Sequence, residues 1–214
     1  MSLDDRQVDL FSRQVLLREV GGRGQERLLA SRVLVAGRGP AAESAATYLV
    51  GAGVGTVGVS GAGALEEIGF APLAERSPEV CLVEVDPEGG IDLGEWDVSV
   101  ETVETGRDLV ASGRARLGSV AVGLDGEHGL TLLVVPAHEG GCAACLDPGD
   151  GVPPGRDGSG SATEVARSSP GAGGRNDATA VDLLLGGDLA ALAALSLLLD
   201  LDSAPPARAL RLAP

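Results

Sequence analysis

Apolar and polar positions along this chain change period several times, and each change marks an element. Over residues 5–30, Val8, Phe11, Val15 and Leu16 recur at helical spacing, and the glycines of "GGRGQERLLAS" interrupt that period before a short second helix. The pattern is that of an N-terminal helical arm. "RVLVAG" is then a continuous apolar run, as in a parallel strand buried on both faces. From Pro40 to Leu49 the apolar positions return to helical spacing until Gly51 and Gly53 end the run, and "GTVGVSG" supplies the next strand. Strand, helix and strand in that order make a βαβ unit with a right-handed crossover.

Four further runs read as strands: "EVCLVEVDP" (79–87), "WDVSVETV" (96–103), "GSVAVGLDG" (118–126) and "GLTLLVVP" (129–136). "TGRDLVASGRARL" fits a short helix between the second and third of them. The expected fold is α/β, a Rossmann-like, mostly parallel sheet with helices on both faces, closed by an antiparallel pair around "LDGEHGL". One domain is expected, with a helical arm over 1–30 and a Rossmann-like body over 31–146. Residues 147–176 turn Gly-, Pro- and Ser-rich and read as a flexible crossover loop. Residues 177–201 hold two apolar helices, Asp177–Leu185 and Asp188–Leu199, and "APPARALRLAP" is a short tail. Leu189–Leu199 falls short of the ~20 apolar residues of a membrane span and reads as a buried helix.

Composition narrows the function classes. The 214 residues are rich in Ala, Leu, Val and Gly and nearly empty of aromatics, so the core must be aliphatic and closely fitted. A net charge of -15 argues against a nucleic-acid partner, whose binding needs clustered cations. All 16 basic residues are arginine. Lysine is thereby removed as a phosphate grip, a Schiff base, a general base or part of a P-loop. The same bias also fits a plain compositional drift of the source genome. The charged start "MSLDDRQVDLFSRQ" has no apolar run of signal-peptide type, which suggests the cytoplasm, and no membrane partner is expected. No GxSxG elbow supports hydrolase chemistry.

The first strand runs into Gly37, Arg38, Gly39, Pro40, Ala41, Ala42, a GxGxxA turn. In such turns the first glycine permits the bend, the second lets a phosphate approach the backbone, and a small third residue packs helix on strand. Pro40, however, has no N–H to offer a phosphate oxygen. Glu43 adds a carboxylate to the first helical turn, where the dipole would otherwise favour the ligand's anion. That glutamate reads either as a stabiliser of its own helix or as a charge that repels phosphate. Arg38 either reaches a phosphate or pairs with a neighbouring carboxylate.

In order, "FSRQVLLREVGGRGQERLLASRVLVAGRG", "TYLVGAGVGTV" and "GCAACL" resemble the opening arm, helix end and CxxCL segment of the ThiF/HesA/MoeB family, bacterial relatives of the ubiquitin-activating E1 enzymes. The resemblance covers essentially the whole chain, is strong over residues 10–60 and is thin over 61–135. It implies adenylation, with ATP and Mg²⁺, of the C-terminal Gly-Gly of a ubiquitin-fold protein, usually by a dimer. It also implies site residues, several of which are altered. Pro40 stands where the family pattern has a further glycine, and Gly61 and Gly63 stand at its two acidic positions. Glu66 or Glu67 could substitute only after a local shift. Glu104 lies near the place of the Mg²⁺-linked aspartate, or is a surface glutamate at a strand end. Arg13 resembles the arginine that one subunit extends into its partner's nucleotide pocket, where a cation stabilises the charge of nucleotidyl transfer. Phe11 and Leu16 beside it read as core.

Cys142 and Cys145 have zinc-knuckle spacing, but four-ligand zinc also needs His128 and His138 or a second copy, because the family's second CxxC is missing. A reversible disulfide or two free thiols is the plainer reading. Cys81 reads as a packed core thiol. Three functions follow. The leading one is a catalytically degenerate E1-like chain acting as a binding or partner subunit for a ubiquitin-fold protein or peptide tail, in a homodimer or beside an active E1-like chain. The first alternative is an active adenylyltransferase with a pocket rebuilt from Arg38, Glu66 or Glu67, and Glu104. The second is a dinucleotide-binding oxidoreductase, resting on GxGxxA alone.

Overall fold

A computed structural model of the chain describes residues 3–60, 73, 77–86, 92–103, 115–125, 129–137, 180–201 and 208–212. The arm contains three helices, α1 (Asp5–Leu10), α2 (Ser12–Val15) and α3 (Gly21–Ala30). Asp4 starts α1 with a capping box: its carboxylate accepts from the Gln7 amide, and the Gln7 side chain accepts from the Asp4 amide. Gln7 Nε2 also donates to Glu79 at 3.1 Å, which ties the arm to the body. Phe11 is buried as expected. Leu16 is not core but 85% exposed, because α2 ends at Val15 and the helical period that would carry Leu16 inward stops there.

Seven strands form one sheet: β1 (Arg32–Ala36), β2 (Thr56–Ser60), β3 (Cys81–Val85), β4 (Val98–Val103), β5 (Gly118–Asp125), β6 (Gly129–Pro136) and β7 (Arg208–Leu212). Their order is β3-β2-β1-β4-β5-β6-β7. The first five are parallel, and β6 and β7 close the sheet antiparallel. The tail thus contributes a strand rather than a loose end. It pairs with the apolar β6, whose outer edge would otherwise expose a row of unpaired amides. β3 is the opposite edge, with a single neighbour, so Cys81 is exposed and not a packed core thiol.

Between β1 and β2 runs α4 (Pro40–Gly51), and after β6 comes α5 (Ala180–Leu199). Both helices pack on the same face of the sheet and against each other. That face presents Val33, Val35, Val57, Val59, Val98, Val100, Val120 and Val122 to Ala42, Ala45 and Ala46 of α4 and to Ala190, Ala191 and Ala194 of α5. Alanine and valine let helices and sheet approach closely, and the aliphatic composition is used in this way. On the opposite face Leu34 and Trp96 pack together, with the indole over Gly58. The crossover helix expected between β4 and β5 falls largely on residues 104–114, outside the described residues.

The C-terminal helices expected on either side of "GGD" are one continuous helix. Gly186 and Gly187 do not break it. A Cβ on Gly187 would overlap the Ala41 carbonyl, and one on Gly186 would come within 2.8 Å of Leu130 Cδ1. These glycines mark where α5 crosses α4 and the sheet. The Asp188 carboxylate accepts a hydrogen bond from Ser44 Oγ at that crossing. Joined, the segments are long and apolar enough to cross a membrane by length and composition, so the length argument against a span does not hold. The helix nonetheless packs on the body along one side, with Ala190, Ala194 and Leu198 buried. Val181 and Leu192 face outward.

Candidate functional site

The chain passes from β1 towards β2 on one side and enters β4 on the other, so the sheet order reverses between β1 and β4. In open α/β sheets the ligand crevice lies at the carboxyl ends of the strands at such a reversal. The turn that leaves β1 there holds Gly37 at φ 132° and Gly39 at φ 78°, conformations that side chains rarely adopt. Gly39 caps α4 without any side-chain hydrogen bond, and Pro40 is the first helical residue. Ala42 is fully buried, so helix and strand meet closely at the third position of the turn. Glu43 lies in the first turn of α4, and its amide donates to the Gly39 carbonyl at 3.1 Å. Ala41 and Ala42 are left as the helical amides with no acceptor inside the helix. Arg38, in the same turn, is exposed.

Two residues of β4 complete this end of the sheet, and neither was singled out from sequence. Thr102 is 8% exposed, its Oγ1 has no hydrogen-bond partner, and a Cβ on Gly37 would overlap that oxygen. Glu101 is 6% exposed on the opposite face, level with Ala36 of β1 and Ala121 of β5. Burial pushes its carboxyl above the ordinary glutamate range, and a weak hydrogen bond from Ser99 Oγ at 3.4 Å opposes that rise. Ser99 Oγ and Ser119 Oγ share a hydrogen bond at 2.7 Å, with Ser119 the donor when Ser99 donates to Glu101, so a short chain of polar groups runs from β4 to β5 inside the sheet. Alternation in "VSVETV" suggests that Ser99 and Glu101 face solvent. A central parallel strand, however, is covered on both faces, so polar residues there are buried and chemically conspicuous.

Arg13 stands elsewhere. It is exposed on α2, next to Gln14, whose Nε2 donates to the Gly51 carbonyl at the C-terminal end of α4. The 12 residues of α4 span about 18 Å, too far for an arginine side chain to bridge to the turn of its own chain. The structure thus gathers Gly37, Arg38, Gly39 and Ala42 at one end of α4 and leaves Arg13 at the other. Glu104 and the Gly61, Gly63, Glu66 and Glu67 region lie outside the described residues. So do Cys142, Cys145, His128 and His138.

A doubly wound sheet with a glycine turn at its reversal and an antiparallel closing edge is a Rossmann-type architecture. Escherichia coli MccB shares it, with a TM-score of 0.57 at 13% identity over 95% of this chain and 70% of that one. No family model matches the chain. A 55-residue stretch is 49% identical to the SAMP-activating enzyme E1 of Haloferax volcanii, covering 26% of this chain and 20% of that relative. Over 55 residues it is also 47% identical to the sulfur carrier protein ThiS adenylyltransferase of Escherichia coli, or 26% and 22% of the two lengths. In these stretches the chain is similar to adenylyltransferases of the ThiF/HesA/MoeB type, and the matches span about a fifth of these relatives' lengths.

Proposed function

We propose that this chain is a non-catalytic E1-like subunit, one that binds or partners rather than adenylating on its own. The observation that carries the reading is the N-terminus of α4, where Pro40 removes one amide and Glu43 adds one negative charge. A magnesium-bound triphosphate needs several donors on its oxygens and a carboxylate on the metal. The residues at this turn do not fit that ligand, and no adenylation step is assigned to them. Arg13, exposed at the far end of α4, is available to a neighbouring subunit instead, which supports assembly as a homodimer or beside an active E1-like chain.

The partner class follows from the relatives. One is named for the sulfur carrier protein ThiS, and MccB has been solved in complex with N-formylated MccA. A ubiquitin-fold protein or a peptide with an accessible C-terminal tail is therefore the proposed ligand of the assembled particle, in the cytoplasm. ATP–pyrophosphate exchange tests the reading. The purified chain, alone and with a Gly-Gly-ending ubiquitin-fold protein, is expected to show no exchange above background. Exchange stimulated by that protein would overturn the proposal.

A further inference from the structure

Resting on the assembly named in that reading, we propose that the outer face of α4 and α5 is the surface through which two copies of this chain pair, as an isologous dimer. Tyr48, Val181, Leu184, Leu185 and Leu192 are between 43% and 69% exposed on these two helices. They form one surface. Gln25 Nε2 donates to the Ala52 carbonyl just after α4, and Arg27 Nη1 donates to the Leu199 carbonyl at the end of α5, so both helices bring their C-terminal ends to α3 and run parallel. The hydrogen bond from Ser44 to Asp188 sets their register, and one turn further on Tyr48 and Leu192 lie level. Val181, Leu185 and Leu192 recur at i, i+4 and i+11, which keeps them on one side of α5.

The chemistry of this face selects its occupant. α4 and α5 carry no basic side chain, and their charged residues are Glu43, Asp182 and Asp188. With no cation on the face and a net charge of -15 on the chain, an anionic bilayer finds nothing to hold there. The buried side of α5, with Ala190, Ala194 and Leu198, also anchors the helix in the body and keeps it from leaving for a membrane. An apolar protein surface is the complement that remains, and the chain itself supplies one. A two-fold axis across the face sets the same apolar side chains of both copies against each other. Asp188, the carboxylate within the stripe, is turned aside to Ser44. Size points the same way: the five side chains expose roughly 500 Å² per copy, in the range of the largest patch that a monomer leaves open. Two such faces with their rims reach the about 1,200 Å² at which stable interfaces begin.

Sedimentation velocity of the full chain over a concentration series reaching about 100 μM tests this, and a reversible dimer is expected. Leu185→Glu or Leu192→Glu sets a carboxylate against the second copy and should weaken pairing about thirtyfold or more. Both positions are exposed in the single chain, so far-UV circular dichroism of the variants should match wild type. Val83→Glu adds the same charge on the edge strand β3. Val83 is exposed and shares the sheet face of Val85, opposite α4 and α5, so this variant should pair like wild type. A wild type that stays monomeric throughout, pairing unchanged in both α5 variants, or an equal loss in Val83→Glu would each overturn the inference. Flotation of the wild type with phosphatidylcholine vesicles, abolished by Leu192→Glu, would overturn it too and assign the face to a membrane. A monomer leaves the absence of adenylation standing, whereas pyrophosphate exchange by an intact dimer sinks that reading and spares the interface.

Discussion

The two ends of α4 have been held to different standards. At its C-terminal end, Gly53 faces Phe11 and the Gln25 amide, with room for no Cβ, and Gly55 lies directly against the Leu29 carbonyl. Gln25, fully buried, donates from Nε2 to the Ala52 carbonyl at 3.0 Å, and Gln14 reaches Gly51. Within "GAGVG", Gly53 and Gly55 are fixed by packing against the arm, while Gly51 is exposed and held only through its carbonyl. At the N-terminal end the bend is kept, but Pro40 and Glu43 alter what the turn offers to solvent. Packing constrains the backbone at both ends, whereas Pro40 and Glu43 are positions at which a ligand would add a second demand. On the reading proposed above, the chain has given up the demands of a triphosphate and none of the demands of the fold.

The most destructive way to probe that contrast is Gly55→Ala. Its Cβ would overlap backbone rather than a movable side chain, so the arm would have to shift away from β2. A loss of about 3 kcal/mol or more in chemical denaturation is expected, at the upper end of overpacking costs. If Gly55→Ala were within about 0.5 kcal/mol of wild type, the C-terminal end of α4 would be no more constrained than an ordinary surface site.

That asymmetry also explains what could be read without coordinates. The βαβ unit, the sheet and its antiparallel closure are written in apolar period, because valines at alternate positions must meet helices on a buried face. Periodicity places Leu16 and Cys81 in the core and leaves the tail without a strand because each depends on where a neighbour ends: α2 at Val15, the sheet at β3, and β6 at an otherwise open edge. Gly186 and Gly187 read from sequence as a break between two helices, since close approach to another helix and a helix break use the same residue. In the candidate site, the glycine turn was legible from its spacing. Thr102 and Glu101 were not, because their significance lies in being buried beside β1, a fact of strand order that "VETVET" does not contain.

Glu101 gives the next effect in size, and it concerns the ligand end. Since burial raises the carboxyl above its ordinary range, the folded chain keeps a proton that the unfolded chain releases. The contribution is therefore fully favourable below the unfolded pKa and is lost as pH rises through the folded one. Glu101→Gln should remove this part of the slope, so that the variant gains on wild type between acid and neutral pH in urea titrations. Parallel stability profiles for the two proteins would show that Glu101 is ionised and solvated, and that the ligand end is more open than its burial indicates.

A smaller change separates the two roles of Glu43. As a stabiliser of its own helix, the carboxylate contributes about 0.3–1 kcal/mol, and Glu43→Gln should cost that much, with the loss shrinking at high salt. If the substitution costs stability and at the same time admits ATP·Mg²⁺, the residue has exchanged a ligand's charge for its own. A stability loss without any change in triphosphate binding would leave Glu43 as a helix cap and shift the burden of exclusion to Pro40.

Arg13→Ala should have the least effect on the chain and the most diagnostic one on its assembly. The side chain is exposed on α2, and no stability change beyond about 0.5 kcal/mol is expected. Its distance from the turn of its own chain, the full length of α4, means that any influence on nucleotide chemistry must be exerted in another subunit. Mixing the variant with an active E1-like chain should therefore lower that chain's exchange rate while the melting temperature of the isolated variant stays at the wild-type value. A lowered melting temperature of the isolated variant would mean that Arg13 serves the fold of its own chain, and the contrast between the two ends of α4 would have to be abandoned.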